Sequence, residues 1–381
     1  MNGFFLPALF ASTLTLAPAA APMHLYLGTS TSEGGPGILT ATFDPLTGTL
    51  GELRLAATVL QPGFFALHPT HPILYSTIQT GATGDAAGAV VAFTIDPATG
   101  KLTELGRRAT GTAFPIHLSL PPDARHLLTC SYGGASAAAL PLAPDGALGT
   151  PGPVERFTGS SVHPERQQRA FPHSINADPS GRHVFVCDLG TDTIVRFKLG
   201  DEGILRRLDP PVRATAPGAG PRHLRFSADG RQAYVVNELG NSVTAYAYDS
   251  NRAALTEIQT VPLLPADFTG QHTAAEVRLH PNGRFLYASN RGHREPRLDS
   301  IAVFAIDPTD GRLTFVERVA TGHHPRHFNL DPTGHWLVVA ARESDRLDLF
   351  AVDAATGRLR PHGTPIPVRR PLNLKFFPAT P

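Results

Sequence analysis

From Met23 onward the chain is written in short runs where apolar and polar residues alternate, interrupted every few residues by turn formers. RHLRFSADGRQAYVVNE (222–238) is representative, with two alternating stretches flanking a Ser-Ala-Asp-Gly turn. A period of two puts successive side chains on opposite faces and predicts strands with one face on a core. Few windows are free of both Gly and Pro for long enough to sustain a 3.6-residue period.

The runs repeat. FDPLTGTL (43–50), IDPATGKL (95–102), IDPTDGRL (306–313) and VDAATGRL (352–359) are versions of one turn, and LAPDGAL (142–148), LGDEGIL (199–205) and YDSNRAAL (248–255) are looser copies. Asp bonds forward to the backbone, Pro presets φ and Gly accepts a positive φ. A second unit joins a turn to a strand in DPSGRHVFVCD, SADGRQAYVVN, HPNGRFLYASN and DPTGHWLVVAA. Its glycines, Gly181, Gly230, Gly283 and Gly334, lie 49, 53 and 51 residues apart. PPDARHLLTCS and HPTHPILYST are weaker copies.

Repeats of about 40–50 residues with several strands each predict a β-propeller. The fold class is therefore all-β: seven four-stranded antiparallel blades over residues 23–381 as one domain. One repeat reads as strand A (RHLRF), strand B (QAYVV), strand C (SVTAYAY), the hairpin turn and strand D. PLNLKFF (371–377) reads as a strand A without a B, and MHLYLGTS (23–30) as a strand B without an A. Pairing the two ends in one blade closes the ring and removes its exposed edges.

Composition narrows the partners. Net charge is +1 with 17% charged residues and no basic block, so neither nucleic acid nor a membrane surface is expected. Cys130 and Cys187 sit in apolar strands and read as inert buried thiols. No CxxC-type spacing, P-loop, H-E-x-x-H or G-x-S-x-G occurs, so no metal and no acyl-enzyme serine is expected. Residues 1–22 are apolar and end in small residues but lack a basic start and contain Pro7 and Pro18. They read as an early start codon on a cytoplasmic protein or, alternatively, as an export signal.

Propeller geometry gathers polar residues from distant repeats. Strands A and B are antiparallel, so the start of A and the end of B meet at one mouth of the central channel. Aligned on the turn glycines, His173, Arg222 and Arg326 enter strand A. His117, Ser174, His223, Glu276 and His327 follow them, and Ser30, Ile78, Tyr132, Leu189, Glu238, Arg291 and Arg342 lie past strand B. Residues recurring between blades, such as His117, His223 and His327, suit a scaffold. His173, Glu238, Glu276 and Arg291 are each particular to one blade. Asp188, Asn237 and Asn290 read as turn-fixing residues. The long polar segment 158–174 is positioned to bring Arg166 and Arg169 over the mouth. Several arginines with a histidine and carboxylates suit a small anionic substrate: Arg forks hold carboxylate or phosphate and steady an oxyanion, while Glu or His moves a proton.

FPHSINADPSGRHVFVCDLGTD, GPRHLRFSADGRQAYVVNELGNSV, TAAEVRLHPNGRFLYASNRGH and DSIAVFAIDP resemble the seven-bladed lactonase family, which includes the propeller type of 6-phosphogluconolactonase and the fungal carboxy-cis,cis-muconate cyclase. The resemblance runs from Met23 through nearly the whole chain and implies a cofactor-independent enzyme acting on a lactone ring. By motif it places catalytic roles on His173, Arg222, Glu238 and Arg291, with Glu238 or His173 as the base. Glu276, Arg326, Arg342 and His223 complete the expected substrate-binding set. The sequence departs from the family in SYGGAS (131–136), which begins with Ser, and in REPRL (294–298), which interrupts the run after SNRGH. The expected reaction is hydrolysis of a sugar δ-lactone, foremost 6-phosphogluconolactone. The competing readings are a muconate-type lactonising enzyme and a non-catalytic binding platform.

Overall fold

The computed structural model describes residues 21–213 and 216–378. The residue 1–22 segment read as a leader or early start therefore lies almost wholly outside the described residues. Among the described residues the chain forms strands and turns, with three short pieces of 3-10 helix. The strands make seven antiparallel sheets of four strands, two of them with the outermost strand D in two pieces.

The innermost strands, A, of blades 1 to 7 are Pro371–Pro378, Phe65–Leu67, Pro115–Ser119, Pro172–Ala177, Pro221–Phe226, His272–Leu279 and Pro325–Leu330. Each contacts the strand A of the next blade, and blade 7 contacts blade 1, so the ring is closed around a channel. Closure is the predicted one. Met23–Thr29 is strand B of blade 1 and pairs antiparallel with Pro371–Pro378, Met23 opposite Pro378 and Leu27 opposite Leu374.

Where alternation predicted one buried face, the strands next to the innermost are buried at successive positions, so both faces of each blade pack against the neighbouring blades. A hydrophobic cluster fills each of the seven interfaces. Polar stitches add to it. The buried hydroxyls of Tyr26, Tyr75, Tyr234 and Tyr287 donate to the carbonyls of Gly100, Gly146, Gly311 and Gly357 in the next blade's hairpin turn. Trp336 Nε1 donates to Pro45 O across the closing interface at 2.8 Å. The turn glycines have the positive φ their positions predict, 72° at Gly181 and 74° at Gly357, whereas Ala253 takes this conformation in the turn 248–255 at φ 50°.

These tyrosines correct one assignment. Four residues beyond Tyr26, Tyr234 and Tyr287 stand Ser30, Glu238 and Arg291; four beyond Tyr75 stands Gln79, not Ile78. Ile78 instead packs in the core between blades 1 and 2. The weak HPTHP turn had left that blade's alignment one residue out. Cys130 and Cys187 are free and buried as expected, and burial raises both thiol pKa values.

Candidate active site

Five sheets share an irregularity where strand A begins, and in three of them it carries a polar residue. Pro172 pairs with Asp188 but Ser174 with Cys187; Pro221 pairs with Asn237 but His223 with Val236; Pro325 pairs with Ala341 but His327 with Ala340. The residues skipped by the ladder are His173, Arg222 and Arg326 in these three, and the apolar Ile116 and Leu372 in the strands that begin at Pro115 and Pro371. A preceding proline is tolerated because the first residue of a strand need not donate to its neighbour. A bulged residue leaves the pleat and re-aims its side chain. All five line one throat of the channel, together with His223 and His327. The throat narrows to about 10 Å³, room for about one water.

Glu238, just past strand B of blade 5, is nearly fully buried beside this throat. Its Oε2 lies 2.8 Å from Arg222 Nε and 3.2 Å from Arg291, and its Oε1 lies 2.5 Å from Arg166. His173 Nε2 stands 3.8 Å from Oε2. Burial by itself raises a carboxyl pKa, but Arg291, Arg222, His173 and Arg166 together hold Glu238 well below the usual carboxylate range. His173 is pushed well below the ordinary histidine value by burial and then by Arg222, so its imidazole is neutral at neutral pH. Two buried nitrogens here, His173 Nδ1 and Arg291 Nε, have no hydrogen-bond partner.

The charges do not balance. Arg326 forms no hydrogen bond or ion pair among the described residues. Burial, with Arg222, Arg291 and Arg342 nearby, pushes its guanidinium down to about 9. Arg342 is paired with Glu33 and Glu343. Arg326 and Arg342 line a chamber of about 570 Å³ that adjoins the throat, with Gln61, Gln79, Ser30 and Glu33 along its walls. The mouth thus has an open chamber on the side of blades 1, 2 and 7 and a closed acid–arginine cluster on the side of blades 4 to 6.

The segment 158–171 closes that cluster. Gln167 is fully buried, and its Nε2 donates to Leu189 O and Asp192 Oδ1, both at 2.8 Å. Asp192 also accepts from Ser161 Oγ and from the backbone of Gly218 and Gly220. Pinned in this way, the loop delivers Arg166 to Glu238, while Arg169 turns away and covers the Phe171 ring at 4.3 Å. Sequence reasoning gave Arg166 and Arg169 equal standing and missed Gln167 and Asp192. A glutamine in a loop carries no sign of burial, and the partner of Asp192 is distant in the chain.

One level deeper the channel is plugged. Phe64 stacks near His117 at 4.1 Å between ring centres and meets His223 and His327 edge-on. His117 Nδ1 accepts from Ile175 N and His327 Nδ1 from Leu374 N, each in the next blade. These recurring histidines are inter-blade staples. Glu276 belongs to the plug rather than to the mouth cavities: it is fully buried and faces His223 at 2.9 Å, Arg225 at 3.0 Å, Arg278 at 3.3 Å and His327 at 3.4 Å. Its blade-specific identity, read from the sequence as a sign of substrate contact, corresponds to a buried charge inside the plug. His223 touches both levels, with Nε2 lying 3.1 Å from Arg222. Asp188, Asn237 and Asn290 hold turns and strand ends: Asp188 accepts from Phe171 N and Gly190 N, Asn237 bonds Ser242 and Thr244, and Asn290 bonds Leu298 O. Through this last contact the REPRL insertion is tied to the strand that carries Arg291. Among the described residues no group of three or more His, Cys, Asp or Glu is arranged to hold a metal ion, and no helix is long and apolar enough to cross a membrane.

Comparison with known proteins adds four likenesses. The family model "Lactonase, 7-bladed beta-propeller" matches residues 24–376. A 6-phosphogluconolactonase of Bacillus subtilis is 36% identical over 353 residues, spanning 92% of this chain and 97% of its own. A 6-phosphogluconolactonase of Pectobacterium carotovorum is 34% identical, spanning 82% and 88%. Among solved structures, the periplasmic gluconolactonase of Pseudomonas aeruginosa superimposes with a TM-score of 0.86 at 33% identity, covering 94% of this chain and 99% of that one.

Proposed function

The chain belongs to the seven-bladed β-propeller lactonase family, and from that membership we propose that it hydrolyses 6-phosphogluconolactone to 6-phosphogluconate at the mouth holding His173, Arg222, Glu238 and Arg291. The observation that carries the phosphorylated substrate is Arg326, an unpaired guanidinium at the junction of throat and chamber, set among other arginines. A phosphate dianion supplies the charge this mouth lacks and suits the planar donors of Arg326 and Arg342. The chamber's volume of about 570 Å³ is in the range of small-ligand sites.

Water adds to the lactone carbonyl carbon, the carbonyl oxygen becomes an oxyanion, and the ring C–O bond then breaks. The ring oxygen takes up a proton and leaves as a hydroxyl, while the new acid ionises. Arg222 and Arg291 stabilise the oxyanion, a role in which fixed donors act most strongly when water is excluded. His173 takes the proton from the attacking water, because it starts neutral. Glu238 is too strongly held by three guanidiniums to be a useful base. Facing His173 Nε2, it instead stabilises the imidazolium as it forms. Arg166 caps Glu238 and restricts that side of the mouth.

The test compares the purified protein on 6-phosphogluconolactone and on unphosphorylated gluconolactone, each with its spontaneous rate subtracted. The reading requires kcat/KM at least about ten-fold higher for the phosphorylated lactone; equal values, or a preference for gluconolactone, overturn the phosphate assignment. Because a phosphorylated sugar does not cross membranes unaided, this substrate goes with a cytoplasmic protein. N-terminal sequencing of the native chain checks this: an end at Met1 or Met23 supports it, and a small-residue cleavage end between them supports export.

A further inference from the structure

The channel has a second mouth. Two positions along strand A from His223, Glu276 and Asn373, the same strand face carries Arg225, Arg278 and Lys375. All three line two adjoining cavities of about 310 and 330 Å³, on the opposite side of the aromatic and histidine plug from the throat. Three cations share one carboxylate, Glu276, which lies within ion-pair distance of both arginines. Lys375 has no carboxylate within that distance and no hydrogen-bond acceptor among the described residues. Asp331, at the edge of the 330 Å³ cavity, is occupied by Thr333 and by the backbone of Trp336. Arg225 Nε is buried without a partner. Burial, followed by Arg278 and Arg225, holds the Lys375 ammonium well below its ordinary pKa.

With one carboxylate for three cations, and Lys375 itself unpaired, the charge in this partly enclosed cavity is costly without a further counter-charge. We propose that this second mouth is a binding site for a small phosphate-class dianion, held by Lys375 as a point charge and by the forks of Arg225 and Arg278. The site needs no assumption about the reaction at the first mouth, from which the Phe64–His117–His223–His327 plug separates it.

Isothermal titration of the full chain with inorganic phosphate, at constant ionic strength in chloride, tests this site. Arg326→Gln reports on phosphate bound at the first mouth, and Lys375→Met on the second. The proposal expects a phosphate-binding component that survives Arg326→Gln and is weakened about ten-fold or more by Lys375→Met, as for loss of a charge-assisted contact. A parallel titration with glycerol 3-phosphate separates the two sources of the chemistry, with tighter binding of the ester assigning an organic phosphate and the reverse a free ion. Phosphate binding untouched by Lys375→Met, or wild-type heats no larger than the chloride control, overturns it. Lys375→Met removes an unpaired charge, so its Tm should hold or rise; if that variant is poorly folded, Arg225→Gln carries the same test.

Discussion

Glu238 gathers Arg166, Arg222 and Arg291 on one buried carboxylate, so neutralising it removes more than a contact. Glu238→Gln leaves three guanidiniums without their counter-ion and should destabilise the fold by about 3–5 kcal/mol in urea unfolding; a loss under about 1 kcal/mol would show that the cluster does not depend on it. Arg326 is the opposite case, a partly buried cation without a partner. Arg326→Gln should leave stability unchanged or higher while raising KM for 6-phosphogluconolactone about ten-fold or more. An unchanged KM would remove Arg326 from the substrate's path. Repeat alignment alone brings His173, Arg222, Glu238 and Arg291 together, because residues at equal positions in a propeller share a height in the ring. It stopped at the strand ends, so Arg225, Arg278 and Lys375, two positions further along the same face, went unread.

At the scale of strands and turns, the turn chemistry was legible and the bulges were not. The glycines of the hairpins and of the A–B turns stand where the DPxTG-type and DPxG-type runs put them, with positive φ. At Gly357 a Cβ would also lie 2.5 Å from the Phe285 ring. Gly357→Ala should therefore lower stability by roughly 2–4 kcal/mol, from left-handed strain and overpacking together, as read from the urea midpoint; a change under about 0.5 kcal/mol would mean the turn relaxes freely. The bulges that aim His173, Arg222 and Arg326 into the throat left only a Pro before each of them as a trace, and proline at the start of a strand has several explanations. Ladder register depends on pairing across the blade, which a local pattern does not encode.

For the whole molecule, ring closure rests on Pro371–Pro378 filling the inner position of blade 1, so deleting residues 371–381 should abolish cooperative unfolding; a sharp melt near the wild-type Tm would contradict this. The plug and throat also set an acid limit. Burial holds His117, His173, His223 and His327 well below 6.5 in the folded state, while the unfolded chain takes up protons on them as pH falls through 6.5. Stability is then lost below that value. Asp188, raised to about 6 by burial, acts in the opposite direction but is one group against four. Glu276, which burial would raise but Arg278 and Arg225 bring down to about 2, adds a further loss from about 4.5 downward. Tm should fall steadily from pH 7.5 to pH 4, and a flat profile would mean these groups titrate normally. The central claim is that the Arg222–Arg291–His173 cluster, set in order by Glu238, opens a lactone ring. Its most direct test is 6-phosphogluconolactone hydrolysis above the spontaneous rate by wild type and by Arg291→Ala, with circular dichroism confirming that both are folded. Wild-type turnover should stand well above background, with a loss of about 100-fold or more in the variant; a folded Arg291→Ala protein with near-wild-type turnover, or a wild type no faster than background, would rule this role out.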